Sequence, residues 1–488
     1  MIAMRKFLFG PPGCGKTESL LRLMEAELRR GVPPERVAFV SFTKAAVMEA
    51  RNRACDAFHL TSDDLPLFRT VHSLCYRAMG LRRSDVFGRE ALERLSELTG
   101  EILTSHTRLD EATLGEHGDA MLHIDQYSRN VMGDAENVWL DSDANFDRFR
   151  LRRFIQAYRQ FRRDEGLVDF TDMLESFNAT IEADCVFIDE AQDLTPLQWR
   201  VIERAFHDVE LFYIAGDDDQ AIHTWCGATL DRLLNFDGQR DVLRQSHRVP
   251  KAVHSLARDI VSRIRRRQWK EWLPAPHNGD VTWNRYHDAI DLRGSDTFFL
   301  LTRTRRQLSR VAEWAREQGI VYEIMGHPSV DPAHVRAIQA WEAWRRGEGL
   351  GPDRCKAALE AAGLPVPEVW DDNTPEWTAR DLGVDVTLLW HDALVKIPLD
   401  DREYMLACLR NGESLTRAPR VKISTIHGTK GAEAEQVVLF TDITSRIDRS
   451  METNPDDEAR VWYVGITRAR NVLHVVEPQG RYGYNLDV

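Results

Sequence analysis

Gly10-Pro11-Pro12-Gly13-Cys14-Gly15-Lys16-Thr17 fits the pattern G-x-x-x-x-G-K-[ST] without a mismatch. The apolar run Lys6-Phe7-Leu8-Phe9 precedes it, and residues 18–30 follow with a helical pattern. Strand, glycine-rich loop and helix in that order are the setting the pattern requires. The glycines let backbone N–H groups converge on phosphate oxygens at a helix N-terminus. The whole loop, Gly10 to Thr17, is therefore read as a cradle for a nucleoside triphosphate. Lys16 is placed to reach the β- and γ-phosphates, and Thr17 to hold Mg²⁺.

Working outward, residues 1–80 alternate strand and helix: strands at 5–9, 37–42 and 67–70, helices at 16–30, 44–55 and 72–79. Residues 86–165 turn helical, polar and charged. Strand character returns at 185–188, 211–215 and 242–243. Residues 263–293 carry Arg, Trp and Pro without periodicity and read as a connection. A second α/β unit begins at 297–301, with a helix at 304–318 and a strand at 320–324. Residues 333–416 are again helical, and the α/β pattern resumes at 421–424, 436–441, 456–469 and 471–476. The expectation is two α/β units, each interrupted by a mainly helical insertion.

Composition narrows the class. A length of 488 residues allows about two to four domains. The apolar runs are strand-length, so neither a membrane partner nor a membrane span is expected, and the chain reads as cytoplasmic. Seven scattered cysteines form no C-x-x-C pair, which argues against zinc, iron–sulfur and disulfide frameworks. A net charge of −13 excludes a surface coated in positive charge but leaves room for a local basic groove. Arg162-Arg163 and Arg265-Arg266-Arg267 are the arginine clusters singled out for contact with a nucleic-acid backbone.

Cys185-Val186-Phe187-Ile188-Asp189-Glu190-Ala191-Gln192-Asp193 is an apolar strand ending in acids, where a phosphate-loop enzyme needs a carboxylate for Mg²⁺. Asp189 is the expected metal contact, and Glu190 the carboxylate that polarises the attacking water.

Asp189-Glu190-Ala191-Gln192-Asp193 resembles the Walker B motif of superfamily 1 helicases of the UvrD/PcrA/Rep type. Further strings follow in that family's order. Gly216-Asp217-Asp218-Asp219-Gln220-Ala221-Ile222 with Trp225-Cys226-Gly227-Ala228 is similar to its third motif. The resemblance implies that Gln220 senses the γ-phosphate, and that Trp225, with His223 beside it, meets single-stranded DNA. His223 stands where the family has Tyr, and Cys226 where it often has Arg. Leu243-Arg244-Gln245-Ser246-His247-Arg248 resembles the Asn-Tyr-Arg motif, making Arg248 an arginine finger and His247 the ring against adenine. In 421–433 the likeness assigns Thr425 and His427 to DNA and Glu433 to the ribose. Tyr463-Val464-Gly465-Ile466-Thr467-Arg468-Ala469-Arg470 is nearly the family's sixth motif, with Arg468 as second arginine finger. Phe42, Thr43 and Lys44 resemble motif Ia, with Lys44 where Asn is usual. Thr70, His72 and Ser73 resemble motif Ib, and Arg303 falls in a motif IV-like segment. All are expected near DNA. Asp169-Phe170-Thr171-Asp172-Met173-Leu174 is close to a string the family carries before Walker B.

The resemblance implies two RecA-like P-loop motor domains in tandem: 1–85 with 166–275, and 276–332 with 419–488. Insertions at 86–165 (1B-like) and 333–418 (a short 2B-like one) interrupt them. It implies a DNA-stimulated ATPase and 3′→5′ helicase using ATP and Mg²⁺ in a cleft between the two motors. Its partners would be single-stranded DNA and single-strand/duplex junctions, with a monomer expected without DNA. Nine residues precede Gly10, leaving no room for the glutamine segment that reads adenine in the family. Adenine read otherwise, relaxed nucleotide choice and a start further upstream all answer to that. The short 2B-like insertion motivates an alternative, a protein-displacing translocase with little unwinding. A nucleotide-dependent switch or scaffold is a third reading, opposed by the two arginine fingers and Glu190.

Overall fold

The computed structural model describes residues 4–104, 116–142, 144–235, 237–371 and 375–487. By internal contacts the chain forms two compact units. One comprises Met1–Gly279, Arg446–Thr467 and Leu486–Val488; the other comprises Asp280–Ser445 and Arg468–Asn485.

The first unit is built on strands β1 (Met4–Phe9), β2 (Val37–Ser41), β3 (Phe68–Thr70), β4 (Cys185–Asp189), β5 (Leu211–Gly216) and β6 (Gln239–Val242). They lie in the order β3-β2-β4-β5-β1-β6, every pair parallel. β2 and β4 are buried at every position, which is why both read as unbroken apolar runs rather than alternating ones. Helices α1 (Lys16–Arg29) and α2 (Lys44–Phe58) cover one face through Leu20, Leu21, Met24 and Val47. α3 (Val71–Ala78) lies on the other face. The chain then leaves the sheet for α4 (Arg89–Thr99), α5 (His117–Asn130), α6 (Ala135–Leu140) and α7 (Arg148–Glu165). It returns with α8 (Phe170–Glu175) and α9 (Pro196–Ala205), which pack beside α3. α10 (Asp231–Leu234) precedes β6, and α11 (Lys251–Ser262) follows it.

The second unit carries β7 (Asp280–Asn284), β8 (Phe298–Thr302), β9 (Tyr322–Ile324), β10 (His327–Pro328), β11 (Val421–Thr425), β12 (Ala434–Phe440) and β13 (Ala469–Val476). Their order is β10-β9-β11-β8-β12-β13-β7. Among the described strands every pair is parallel except the short β9–β10 one. α12 (Leu308–Glu317) packs on this sheet, and α13 (Pro332–Arg345), α14 (Pro352–Ala362), α15 (Trp390–Ala393) and α16 (Leu399–Arg410) follow. α17 (Ser445–Thr453) leads into α18 (Pro455–Ile466), and α18 belongs by its contacts to the first unit. Two parallel α/β sheets in tandem, each broken by helices, form the expected RecA-like pair.

The two helical interruptions are cored differently. The first has its own cluster, including Leu92, Leu95, Met121, Leu122, Phe154 and Tyr158. In the second, Trp341, Trp344, Leu359 and Tyr404 join one cluster with the sheet residues Leu300, Val421 and Ile423.

One element departs from the sequence reading. The supposed connection 263–293 contains β7, which pairs with β13 at the end of the strand order and stays partly exposed. An edge strand that is solvated along its length lacks the apolar signal by which a buried strand is recognised.

Candidate nucleotide site and nucleic-acid contacts

β4, β5 and β1 are adjacent and parallel, so their C-terminal ends open on one edge, the place where ligands bind in such sheets. β1 delivers the loop 10–17 to that edge. Gly13 and Gly15 sit at φ +72° and +76°, where a side chain would be strained. At Gly13 a Cβ would also lie 2.4 Å from the Cβ of Arg248. Gly15 caps α1, and the buried Lys16 starts it. The Lys16 ammonium donates to the carbonyls of Gly10 (2.8 Å) and Pro11 (3.3 Å), folding back over the loop. Burial pushes the Cys14 thiol up, against the pull of Lys16.

Thr17 Oγ1 donates to Asp189 Oδ2 at 2.7 Å, joining the start of α1 to the end of β4. Asp189 is buried, and burial together with the Glu190 charge pushes its carboxyl up to about 7. A hydroxyl and a carboxylate side by side are the hard oxygen donors that Mg²⁺ takes, so Thr17 and Asp189 fit the expected metal pair. Glu190 adopts a left-handed conformation, φ +52° and ψ +41°, unusual for a residue with a side chain. Its carboxylate accepts from Gln192 Nε2. Gln192 Oε1 in turn accepts the Asp217 backbone N–H at 3.0 Å. A Cβ at Gly216 would come within 2.7 Å of that oxygen, which accounts for the glycine.

At the end of β5, Asp217, Asp218 and Asp219 bring carboxylate oxygens within 4.8 Å of one another, all buried. The Lys270 ammonium supplies their cation, 3.0 Å from Asp217 and 2.9 Å from Asp219, with Asp218 also in contact. Burial would lower the lysine, but the three carboxylates outweigh it and raise it. Burial likewise opposes ionisation of Asp217, yet Lys270 and Lys16 hold it below the usual carboxylate range. Gln220 Nε2 donates to Asp217 Oδ2 at 2.7 Å. Arg267 grips Asp219 with two bonds of 2.8 and 2.6 Å. From α18, Arg460 donates to the Asp218 carbonyl at 3.1 Å.

Sequence reasoning missed Lys270, since a lone lysine in an aperiodic stretch carries no signal. It also misassigned two arginines. Arg267 was expected on a nucleic-acid backbone but is committed to Asp219. Arg162 was expected there too, but its side chain is 6% exposed and pairs with Asp169 and Asp172. A buried guanidinium needs a carboxylate: Arg162 finds its own just beyond the end of α7, and Arg267 finds one 48 residues away.

The loop after β6 closes on the glycine loop. Ser246 Oγ donates to the Pro12 carbonyl at 2.8 Å, and the His247 N–H to the Gly13 carbonyl at 2.8 Å. His247 stays exposed, and Arg248 is half-buried.

The candidate DNA contacts of the first unit fall in two groups. Phe42 and His223 stack at 4.9 Å, and Trp225 stands edge-on to His223 at 6.2 Å, all three half-buried. Thr43 and Lys44 are exposed, and Thr43 Oγ1 caps α2 by accepting from the Ala46 N–H at 3.2 Å. Thr70 similarly caps α3 through the Ser73 N–H at 3.3 Å. Burial takes the half-buried His72, edge-on to Phe170, down to about 4.

In the second unit, Thr425 and Thr302 are register partners at the C-terminal ends of β11 and β8. Arg303 and Thr425 are buried and His427 half-buried. Arg468 lies at the opposite edge, just before β13, with its guanidinium on the Ala432 carbonyl at 3.1 Å. The exposed Glu433 precedes β12 at that same edge and pairs with Arg470 at 3.3 Å. The sheet thus separates Glu433 and Arg468 from Arg303, Thr425 and His427.

The UvrD/REP helicase N-terminal domain model matches residues 6–241, and the UvrD-like helicase C-terminal domain model matches residues 403–478. The chain is 26% identical to the ATP-dependent DNA helicase UvrD2 of Mycobacterium tuberculosis, over 94% of this chain and 74% of that protein. It is 23% identical to the ATP-dependent DNA helicase PcrA of Staphylococcus epidermidis, over 58% of this chain and 41% of that one. Among solved structures it aligns with the arterivirus nonstructural protein 10 helicase at 12% identity and TM-score 0.35, covering 98% of this chain and 60% of the viral one. The chain thus spans about three-fifths of that structure and under half of PcrA. With both domain models matched in order, and the glycine loop, strand-end acids and sixth motif in place, the chain belongs to the UvrD-like family of superfamily 1A helicases.

Proposed function

We propose that this chain is an ATP-dependent DNA helicase that moves 3′→5′ along single-stranded DNA and opens duplex at single-strand/duplex junctions. The observation that carries the reading is the Thr17–Asp189 hydrogen bond of 2.7 Å, with Glu190 next in sequence, in a chain of the UvrD-like family. Bound there by Thr17 and Asp189, Mg²⁺ would neutralise phosphate charge. Lys16 leaves its two loop carbonyls for the β- and γ-phosphates. Glu190 orients and deprotonates the attacking water, and Gln220 reports on the γ-phosphate. Arg248 and Arg468 stabilise charge on the transferring group. His247 and Glu433 hold the base and ribose. Phe42, His223 and Trp225 offer a stacking surface that accepts any base, a contact worth about 1–3 kcal/mol per base. Thr43, Lys44, Thr70, His72, Ser73, Arg303, Thr425 and His427 complete the DNA path. We take the motor domains as 1–85 with 166–275 and 276–332 with 419–488, although α18 of the latter packs by its contacts with the first unit, and the chain as a monomer in the cytoplasm. No described helix is long and apolar enough to cross a membrane.

Tailed duplexes test the reading. ATP should drive displacement from 3′-tailed substrates, and DNA should stimulate hydrolysis. Lys16→Ala and Glu190→Gln should abolish turnover, the latter with nucleotide still bound. Unwinding only from 5′ tails sinks the polarity, and near-normal ATPase in either variant sinks the site.

One observation favours a second reading, a protein-displacing translocase with little unwinding. The second insertion is fused into the core of its sheet, which restrains an element that regulates unwinding in the family. ATP-driven movement on single strands without duplex opening would select it.

A further inference from the structure

Between α11 and β7 the chain has no regular structure, yet this stretch contributes the most buried lysine contact to the site. We propose that Lys270 is a positioning residue for hydrolysis: its ammonium fixes Asp217, and Asp217 fixes both Gln220 and the Gln192–Glu190 pair. The inference rests on the ATP-hydrolysing reading above.

Asp217 is the branch point. Its Oδ1 meets Lys270 at 3.0 Å, while its Oδ2 accepts from Gln220 at 2.7 Å. Its backbone N–H donates to Gln192 Oε1 at 3.0 Å, and the other end of that amide donates to Glu190. Lys270 is the only cation in direct contact with Asp217 among the described residues, and without it the buried carboxylate would protonate or turn toward another donor. Turning away releases Gln220 from its acceptor, and protonation weakens that acceptor by removing its charge. The Lys270 side chain is 2% exposed, so no solvent cation can replace it without rearrangement. Neighbouring residues fix where the lysine sits. The Gln268 N–H donates to Asp218 Oδ2 at 2.6 Å, and Arg267 holds Asp219. Three residues on, Leu273 exchanges backbone bonds of 2.9 Å with Arg244 and Ser246, whose hydroxyl reaches the Pro12 carbonyl. One irregular segment therefore pins the γ-phosphate sensor on one side and the loop carrying Arg248 on the other.

The test pairs Lys270→Gln with Asp219→Asn, which removes one cation and one anion together and keeps the buried charge balanced. Single-strand-stimulated ATPase, binding of a fluorescent ADP analogue and thermal melting are measured on the full chain. The pair should lower kcat about a hundredfold, the scale of losing one preorganised donor. KM for ATP and analogue affinity should stay within about threefold. Adding Gln220→Ala should cost no more than about a further twofold, because the lysine acts through that glutamine. Asp219→Asn alone should lose less than about tenfold in kcat. A paired variant with kcat within about threefold of the parent overturns the inference, as does a full additive loss with Gln220→Ala. A paired variant that no longer folds or binds the analogue assigns Lys270 to the fold and also overturns it. An unmodified chain without ATPase overturns the functional reading itself, a result distinct from all of these.

Discussion

The first insertion meets its motor unit through guanidinium–carboxylate contacts, whereas the second dissolves into the core of its sheet. At the first junction, Arg129 of α5 reaches Asp169 (2.8 Å) and Glu175 (2.7 Å) around α8, and also contacts Asp172. Arg162 of α7 pairs with Asp169 at 2.8 Å and lies over the Tyr158 ring at 4.2 Å. Tyr158 donates to Asp169 at 2.7 Å. Burial alone would raise Asp169, but Arg129 and Arg162 outweigh it and hold the carboxyl low. At the second junction the polar contacts only trim an apolar seam. Tyr404 donates to the Ile320 carbonyl at 2.6 Å, and the guanidinium–carboxylate pair Arg316–Asp401, at 2.8 Å, is solvated at the rim instead of buried. A charged junction is selective in direction and partner but costly to leave half-made. An apolar one holds by area and offers no discrete point of release. The first insertion is therefore a body with its own core attached at a defined polar seam, and the second is an extension of the motor itself.

Trp344→Ala should have the largest effect. Truncating a buried tryptophan costs about 3–5 kcal/mol. Hydrogen exchange should rise in α13 and in β8 and β11 together; protection kept in the strands would break the contrast. Arg129→Met comes next, at about 3 kcal/mol, because it strands carboxylates that burial makes costly. Exchange should rise across α5 and α8 and leave the cluster around Leu92 and Phe154 protected; collapse of that cluster would show that the first insertion is not independently cored.

Acid should act on the first unit by up to about 2 kcal/mol per histidine at pH 5. Burial lowers His72 and His123 to about 4, with Arg446 adding to the effect at His123. An imidazole depressed in the folded state contributes fully above its unfolded value of 6.5. The contribution fades as pH falls from there toward 4, because the unfolded chain takes up the proton first. Urea unfolding at pH 7 and pH 5 checks this, and a variant with both histidines changed to Gln should lose the difference. The smallest test is paired. Ile338→Val and Ile124→Val should each cost about 1 kcal/mol, the former loosening the second sheet and the latter only its own helices.

Both motor units and the nucleotide-loop geometry were legible because they are written in short strings. Strand, loop and helix are contiguous at 6–30, and the place of Asp189 at the end of β4 depends only on where an apolar run stops. The junctions were not legible. Asp169-Phe170-Thr171-Asp172 was noticed as a string, but nothing local says that Arg129 and Arg162 complete it. Lys270 lies some fifty residues from the acids it neutralises. Charge is visible in sequence, whereas the choice of partner is settled by packing. That is why Arg162 and Arg267 looked like surface cations. β7 escaped for the complementary reason that an edge strand has little to bury.

The second sheet has a mechanical consequence. Glu433 and Arg468 stand at one end of its strands, and Arg303, Thr425 and His427 at the other. A strand rises about 3.3 Å per residue, so strands of five to eight residues separate the two groups by roughly 15–25 Å. No side chain spans that distance. On the proposed reading, news of the nucleotide can reach the DNA side of this unit only if the whole sheet tilts, as a stiff lever would, and stiffness along the strands then matters more than the identity of any residue between the two ends.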